Sequence, residues 1–265
     1  MSSKTKRWLA LLRASVEVSE EDGVRSLHLG GDAIQSSIRL DRPDELALDY
    51  TRAMMAFLLF QPRPRDVLMI GLGGGSMARY IHQRMPGTRT TVVEINAKVL
   101  AAARSMFHFP AEDARLKVKI ACGAEYLADQ AEAADVLLVD GFDDGKQPAV
   151  LCTQAFYDAA HAALRPGGVM AVNFMAEEKK LDAYMQRIEN SFDGYVASLT
   201  AEDRVNIIAF AFKRHPRQLA WAELKKRARL LKKTHDLPLE DFIAGLKKMN
   251  PHTPANLKLR SASTE

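Results

Sequence analysis

Apolar and polar positions fall into three regimes along this chain. Between residues 14 and 40 they alternate, as SVEVSEEDGVRSLHL and then DAIQSSIRL, with turn residues at Glu21-Asp22-Gly23 and Gly30-Gly31-Asp32. Successive strand side chains point to opposite faces, so this period of two with glycine turns predicts a small antiparallel sheet. The next stretch, ELALDYTRAMMAFLLF, has an apolar face too broad for a surface helix. It predicts a helix capped by Asp44, laid against a sheet and ended by the breaker at 61–64.

From residue 65 the pattern changes to short unbroken apolar runs separated by helical periodicity. Strands are predicted at 67–70, 90–95, 116–121 and 136–139 and at VMAVNF, which follows a turn at Pro166-Gly167-Gly168. Helices are predicted at about 76–85, 97–106, 123–131, 153–164 and 179–191. Four-residue apolar runs are too short for helices and suit strands covered on both faces. Strand and helix alternating five times require right-handed crossovers and a parallel sheet. Strands at 195–199 and 205–212, joined by a short connection, are expected to close it as an antiparallel pair.

Beyond residue 212 the chain reads as helical and basic. AWAELKKRARLLKK puts Trp221, Leu224, Ala228 and Leu231 on one stripe, and LEDFIAGLKKM forms a second helix ended by Asn250-Pro251. The residues after it are expected to lack order. The predicted division is a small β region at 1–43, a nucleoside-binding domain at 44–212 and a basic tail at 213–265. Charge separates the last two. The net +4 splits into −4 for residues 1–212 and +8 for the tail, where 13 Lys and Arg face 5 acids. Such a tail can mean nucleic acid, but a solvated helix face packed on the domain is the commoner cause, so no nucleic-acid partner is expected.

Other bounds come quickly. A hydrophobic content of 47% with 26% charged residues belongs to an ordinary soluble chain, and the apolar start MSSKTKRWLALLR is broken by Arg13 without a cleavage site, so neither membrane nor export is expected. Two cysteines, Cys122 and Cys152, sit in apolar contexts away from metal spacing, which suits reduced thiols in a cytoplasm. Seven histidines show no paired spacing with Cys or carboxylates, so no metal site is expected.

The chemistry gathers where the first parallel strand stops, in VLMIGLGGGS. Gly71, Gly73, Gly74 and Gly75 allow positive φ and close approach of a ligand, and the helix after them presents its N-terminal amides. The next strand ends in Glu94, placed to accept both hydroxyls of a ribose. The glycine spacing departs from a dinucleotide fingerprint, whose third glycine would fall at Ser76. An S-adenosyl-type ligand therefore leads, with a nicotinamide dinucleotide and a purely structural turn as alternatives. Directly after the fourth strand, VLLVDGFDDGKQP carries Asp140, Asp143 and Asp144 on the same rim. Asp140 is read as a base that binds and deprotonates an amine attacking a sulfonium, and Asp144 as a turn cap. Asn173, after VMAV, is read chiefly as a cap.

These residues resemble a family: spermidine synthases, the polyamine aminopropyltransferases. SLHLGGDAIQSS resembles its N-terminal hairpin with the glutamine at Gln35, DELALDYTRAM its helix opening with Tyr50 against the amine, and IGLGGGS its glycine loop. VVEIN resembles its ribose acid, FHFPAEDARLKV the lead into the third strand, and LLVDGFDDGKQP its acidic catalytic loop. The resemblance implies Asp140 as base, with Asp143 and Tyr50 holding the amine. It implies a nucleoside pocket of Gln35, Gly71, Gly73, Gly74, Gly75, Ser76, Glu94, Cys122 and Gly123. This sequence departs from the family where Ser76 replaces an acid that grips the aminopropyl ammonium. It departs again at Thr51 and Arg52, which replace His or Gln and then Glu, and at Cys122, which replaces an acid for the adenine amine. Without the acid at Ser76, methyl transfer gains ground.

The expectation is therefore an α/β protein with a Rossmann-like sheet of the class I methyltransferase type, a small N-terminal antiparallel sheet and a helical tail. Its expected function is aminopropyl transfer from decarboxylated S-adenosylmethionine to a di- or polyamine, by a cytoplasmic homodimer of polyamine biosynthesis. Methyl transfer from S-adenosylmethionine is the alternative, and a non-catalytic adenosyl-binding protein the second.

Overall fold

The computed structural model describes residues 15–31, 34–142, 146–216 and 219–259. Asp143 and Asp144 lie outside the described residues, as do the N-terminal 14 residues. The alternating segment forms a three-stranded antiparallel sheet from β1 (Val16–Glu21), β2 (Val24–Leu29) and β3 (Ile34–Arg39), in that order. Asp22 and Gly23, both at positive φ, make the first turn. The inward positions Leu27 and Ile38 are buried, so the small sheet closes over the main core instead of standing apart.

The main sheet has seven strands: β4 (Asp66–Ile70), β5 (Arg89–Glu94), β6 (Leu116–Ile120), β7 (Ala134–Val139), β8 (Leu164–Met175), β9 (Val196–Thr200) and β10 (Asn206–Phe212). Their spatial order is β6-β5-β4-β7-β8-β10-β9, with β10 antiparallel to both neighbours and the other pairs parallel. The chain runs outward from β4 to β6 and then returns to β7 on the other side of β4. That reversal leaves a crevice over the carboxyl ends of β4 and β7, where open α/β sheets take ligands. The topology is that of the class I methyltransferase sheet, as the alternation of elements predicts.

Helices cover both faces: α1 (Asp49–Met54), α2 (Ser76–Arg84), α3 (Ala97–Met106), α4 (Gly123–Ala128), α5 (Gln154–Ala163), α6 (Leu181–Ser191), α7 (Trp221–His235) and α8 (Leu239–Met249). Strand β7, ADVLLV, is buried along its whole length, as a central strand covered on both faces must be.

Four features differ from expectation. The first helix begins at Asp49, not after Asp44. Asp44 instead accepts a bond from the Gln83 amide, while residues 43–48 wind as turns that Arg52 ties down through the Leu46 and Ala47 carbonyls. After Met54 the helix tightens to a 3-10 turn at Met55–Leu59, buried throughout. Pro166-Gly167-Gly168 does not end an element. Gly167 at φ +85° lets the three residues bulge within β8, whose register against β7 shifts there. Residues 250–259 are ordered too: Trp221 donates through Nε1 to the Thr253 carbonyl, and Leu257 is buried.

The basic tail packs on the sheet side bearing the 3-10 turn. Trp221, Leu224 and Ala228 are buried, and Leu231 is packed against the same core. Arg227 donates to the Leu59 carbonyl at 2.6 Å, and the Tyr80 hydroxyl donates to the His235 carbonyl. Its lysines Lys225, Lys226, Lys232 and Lys233 face solvent.

Candidate active site

A cleft sits over the carboxyl ends of β4, β5 and β7, and a second adjoins it toward β8 and β10. The first is lined by Gln35, Gly71, Gly73, Glu94, Cys122, Gly123 and Asp140 among the expected residues, with Leu72, Ile95, Asn96, Phe142 and Leu151. The second is lined by Gln35, Tyr50, Phe142, Asn173, Met175, Asp203 and Asn206. Gln35 and Phe142 belong to both, so the two clefts share a wall.

In the first cleft, Glu94 is the last residue of β5 and is 7% exposed. Its Oε2 accepts from the Leu72 amide at 2.9 Å and its Oε1 from the Asn96 amide at 2.8 Å. Burial raises its pKa, and the backbone donors oppose that rise. A carboxylate held this way keeps lone pairs for a diol, because each oxygen accepts more than one bond. Cys122 precedes α4 and Gly123 opens it, where a Cβ would lie 2.4 Å from Ile70 Cγ2, so only glycine lets this helix meet β4.

The glycine loop divides its labour. Gly71, at φ +97°, faces Asp140: a Cβ there would lie 2.2 Å from the Asp140 carbonyl oxygen. Gly75, at φ +77°, makes room for Phe109, whose Cδ2 would be 2.3 Å from a Cβ. Gly74 is crowded by Phe107 and Ser36, each 2.8 Å from a Cβ. Gly74, Gly75 and Ser76 thus lie behind the loop and do not line the cleft. Ser76 is 5% exposed, and its hydroxyl is spent on the Ser36 hydroxyl at 3.3 Å and the Ser37 carbonyl at 3.4 Å. The loop is bound to the small sheet, which the sequence signal read as ligand contact.

At the other end Asp140 follows β7, and its amide donates to the Ile70 carbonyl at 2.9 Å. Asn173 Nδ2 donates to Asp140 Oδ1 at 2.9 Å. Burial pushes the Asp140 carboxyl up to about 6, opposed by the bonds from Asn173 and from Tyr50. Tyr50 is raised above its ordinary value by burial and then by the nearby Asp140 charge, and its single hydroxyl hydrogen is shared between the Asp140 carboxylate and the Gln35 carbonyl, 3.1 Å away. The two clefts therefore meet at Asp140, Tyr50 and Gln35. Thr51 and Arg52 are elsewhere: the Thr51 hydroxyl donates to the Leu48 carbonyl at 2.6 Å, and Arg52 pairs with Asp49.

Residues that the sequence reading took for a cap or passed over complete this end. Asn173, expected as a cap, is 1% exposed and accepts through Oδ1 from Asn206 Nδ2 at 2.9 Å. Gln147 Nε2 donates to the Asn173 carbonyl at 2.5 Å, and Cys152 Sγ lies 3.2 Å from Gln147 Oε1. The available signal was a single amide at the end of each apolar strand, VMAVN and NIIAFAF. It becomes legible only once β10 is known to run antiparallel, which brings its first residue to the carboxyl edge of β8. No group of three or more potential metal ligands occurs among the described residues.

The spermine/spermidine synthase domain matches residues 48–205, more than half of the chain. The chain belongs to the spermine/spermidine synthase family. It is 40% identical over 242 residues to a polyamine aminopropyltransferase of Chromobacterium violaceum, covering 91% of this chain and 93% of that one. It is likewise 40% identical over 245 residues to one of Neisseria meningitidis, covering 92% and 93%. An eEF1A lysine and N-terminal methyltransferase of Xenopus laevis is 31% identical over 214 residues, covering 74% of this chain and 30% of that much longer protein. Among solved structures, a probable spermidine synthase from Corynebacterium glutamicum shares the fold with a TM-score of 0.69 at 20% identity, over 93% and 96% of the two chains. Human methyltransferase-like protein 13 in complex with SAH aligns with a TM-score of 0.65 at 29% identity, over 72% and 94%.

Proposed function

We propose that this chain transfers an aminopropyl group from decarboxylated S-adenosylmethionine to a di- or polyamine. The observation that carries the reading is the sign of the charge in the paired clefts. Among the described residues lining them, the only charged side chains are Glu94, Asp140 and Asp203, all acidic. A decarboxylated donor brings a sulfonium and an ammonium, and the acceptor brings further ammonium groups. The α-carboxylate of ordinary S-adenosylmethionine would find no Lys, Arg or His among the described lining residues, and an unpaired buried charge is costly. Support also comes from the two aminopropyltransferase relatives, each matched over nearly its whole length.

The residues divide the work. Glu94 takes the ribose hydroxyls, and Gly71, Gly73, Cys122 and Gly123 shape the nucleoside pocket. Gly74, Gly75 and Ser76 keep the loop in place. An alkylammonium has a pKa near about 10.4 and carries no free lone pair at neutral pH. Asp140, ionised above about pH 6, attracts that cation and takes one of its protons, while Tyr50 and Gln35 line the approach and Asp143 shares in holding the amine. The freed nitrogen lone pair forms the new N–C bond to the aminopropyl carbon as the C–S bond breaks, its electrons going to sulfur to give neutral methylthioadenosine. The product nitrogen stays protonated, and Asp140 passes its proton to solvent. Alignment of two bound substrates supplies most of the rest.

Methyl transfer is the second reading, favoured by the methyltransferase relatives. Calorimetric titration with each donor separates the two. Decarboxylated S-adenosylmethionine should bind at least about tenfold tighter than S-adenosylmethionine, a difference of about 1.4 kcal/mol; the reverse order would favour methyl transfer. A cytoplasmic homodimer without a nucleic-acid partner belongs to the same proposal. No helix among the described residues is long and apolar enough to cross a membrane.

A further inference from the structure

Strands β8 and β10 carry one asparagine each at the edge of the amine cleft, and both are buried: Asn173 is 1% and Asn206 6% exposed. In the antiparallel ladder Asn206 faces Met175 and Ile208 faces Asn173, so the two asparagines are diagonal neighbours on one face of the sheet. An ionised carboxylate is acceptor only. Asp140 Oδ1 therefore requires the Nδ2 side of Asn173, which turns Asn173 Oδ1 toward Asn206 and requires Nδ2 of Asn206 in turn. The bonds, 2.9 Å each, run in one direction, from Asn206 to Asn173 to Asp140. The other hydrogen of Asn206 Nδ2 points to Met175 Sδ at 3.6 Å, and the Asn173 backbone carbonyl is taken by Gln147 at 2.5 Å.

We infer that Asn206 and Asn173 form a one-way amide relay that holds the Asp140 carboxylate oriented and ionised. Oδ1 accepts from Asn173, and Tyr50, the titratable side chain facing the same carboxylate, bonds to it from the opposite element, so the relay holds one side of the base while the amine approaches the other. Asn173 and Asn206 are positioning residues and touch no reacting atom. If either amide turned over, a carbonyl oxygen would face the carboxylate, favouring its protonated form and removing the base. The relay rests on the assignment of Asp140 under the proposed function, so its test has a readout independent of turnover.

That readout is the pH titration of the Asp140 carboxyl carbon, followed by NMR in aspartate-labelled full-length protein and assigned with Asp140→Asn. Asn173→Leu, close in volume but without a donor, should raise the Asp140 midpoint by about one unit, the value of one hydrogen bond to a charged group. Asn206→Asp is isosteric and cannot donate to Asn173 Oδ1, so it forces the amide over and should raise the midpoint by a similar amount. Its added charge also raises the midpoint, and the double variant separates the two causes. In the Asn173→Leu background most of the Asn206→Asp shift should vanish. Full additivity of the two shifts, or an unmoved midpoint in Asn206→Asp, would overturn the relay. Should the Leu variant fail to fold, Asn173→Ser, smaller and misaligned as a donor, takes its place in the same cycle. If the unmodified protein turned over no amine while these shifts appeared as stated, the functional reading would fall and the relay would stand.

Discussion

At the nucleoside end, the groups that would meet a ligand are near neighbours in sequence. Glu94 takes the amides of Leu72 and Asn96, separated from it by 22 and 2 residues, and the glycine loop continues β4, the strand beside the one that delivers Glu94. At the amine end, Asp140 depends on Asn173, 33 residues away, which depends on Asn206, a further 33 residues away. One end is made of backbone amides that a turn supplies. The other is made of side-chain amides that only the assembled sheet brings together. A turn of this kind can be recognised wherever it occurs, whereas a relay across strands is visible only after topology is fixed.

If the ends are separable in this way, substitutions at each should leave the other intact. The largest effect is expected at Asp140. Asp140→Asn keeps the shape and removes the base, and turnover with an amine should fall by at least about 100-fold. Methylthioadenosine affinity should stay unchanged by calorimetry. Glu94→Ala should do the opposite, weakening methylthioadenosine by about 1.5 to 3 kcal/mol. Retained affinity in that variant would mean that the ribose acid has been misassigned.

Gly75→Ala probes the scaffold behind both ends. A side chain at φ +77° and 2.3 Å from Phe109 should cost about 1 to 3 kcal/mol of stability, read from denaturant unfolding. Affinity of the folded fraction for methylthioadenosine should be little changed, because Gly75 does not line the cleft.

The smallest expected effect ties function to stability. The folded chain binds the Asp140 proton more tightly than the unfolded chain, since the carboxyl is pushed from its ordinary 3.8 to about 6. Its ionised form therefore costs stability above about pH 6, and that cost fades as pH falls through the window toward 4. Asp140→Asn should thus melt about 2 to 4 °C higher than the unmodified protein at pH 7.5, a gain of roughly 1 kcal/mol, and at the same temperature near pH 4. A lower melting temperature at pH 7.5 would mean that the carboxylate is stabilising where it stands. The same pKa predicts an acidic limb near pH 6 in the amine-dependent rate.

The uneven legibility of the sequence follows from the same contrast. The central strands were readable because a parallel sheet covered on both faces demands unbroken apolar runs, as in ADVLLV of β7. Asp44 misled because a good capping residue precedes the apolar stretch, yet it bonds to Gln83 instead, and the Arg52 side chain holds the irregular segment before the helix through the Leu46 and Ala47 carbonyls. The glycines after β4 were recognised, but their division was not. Gly71 yields to the Asp140 backbone and Gly75 to Phe109, contacts with residues that lie further along the chain, outside the turn itself. Ser76 reads in sequence as a missing ammonium partner; in the fold its hydroxyl is bonded to the small sheet. Asn206 carried only the signal of one amide opening an apolar strand, which means nothing until the neighbour of that strand is known.

The central claim is that the acidic paired clefts serve aminopropyl transfer, and product analysis of one reaction tests it most directly. The purified full-length protein is incubated with putrescine and an equimolar mixture of decarboxylated and ordinary S-adenosylmethionine, and the nucleoside products are quantified by mass spectrometry. Methylthioadenosine with matching spermidine, and no S-adenosylhomocysteine above the enzyme-free control, is the predicted result. S-adenosylhomocysteine with a methylated amine, and no methylthioadenosine, would contradict it.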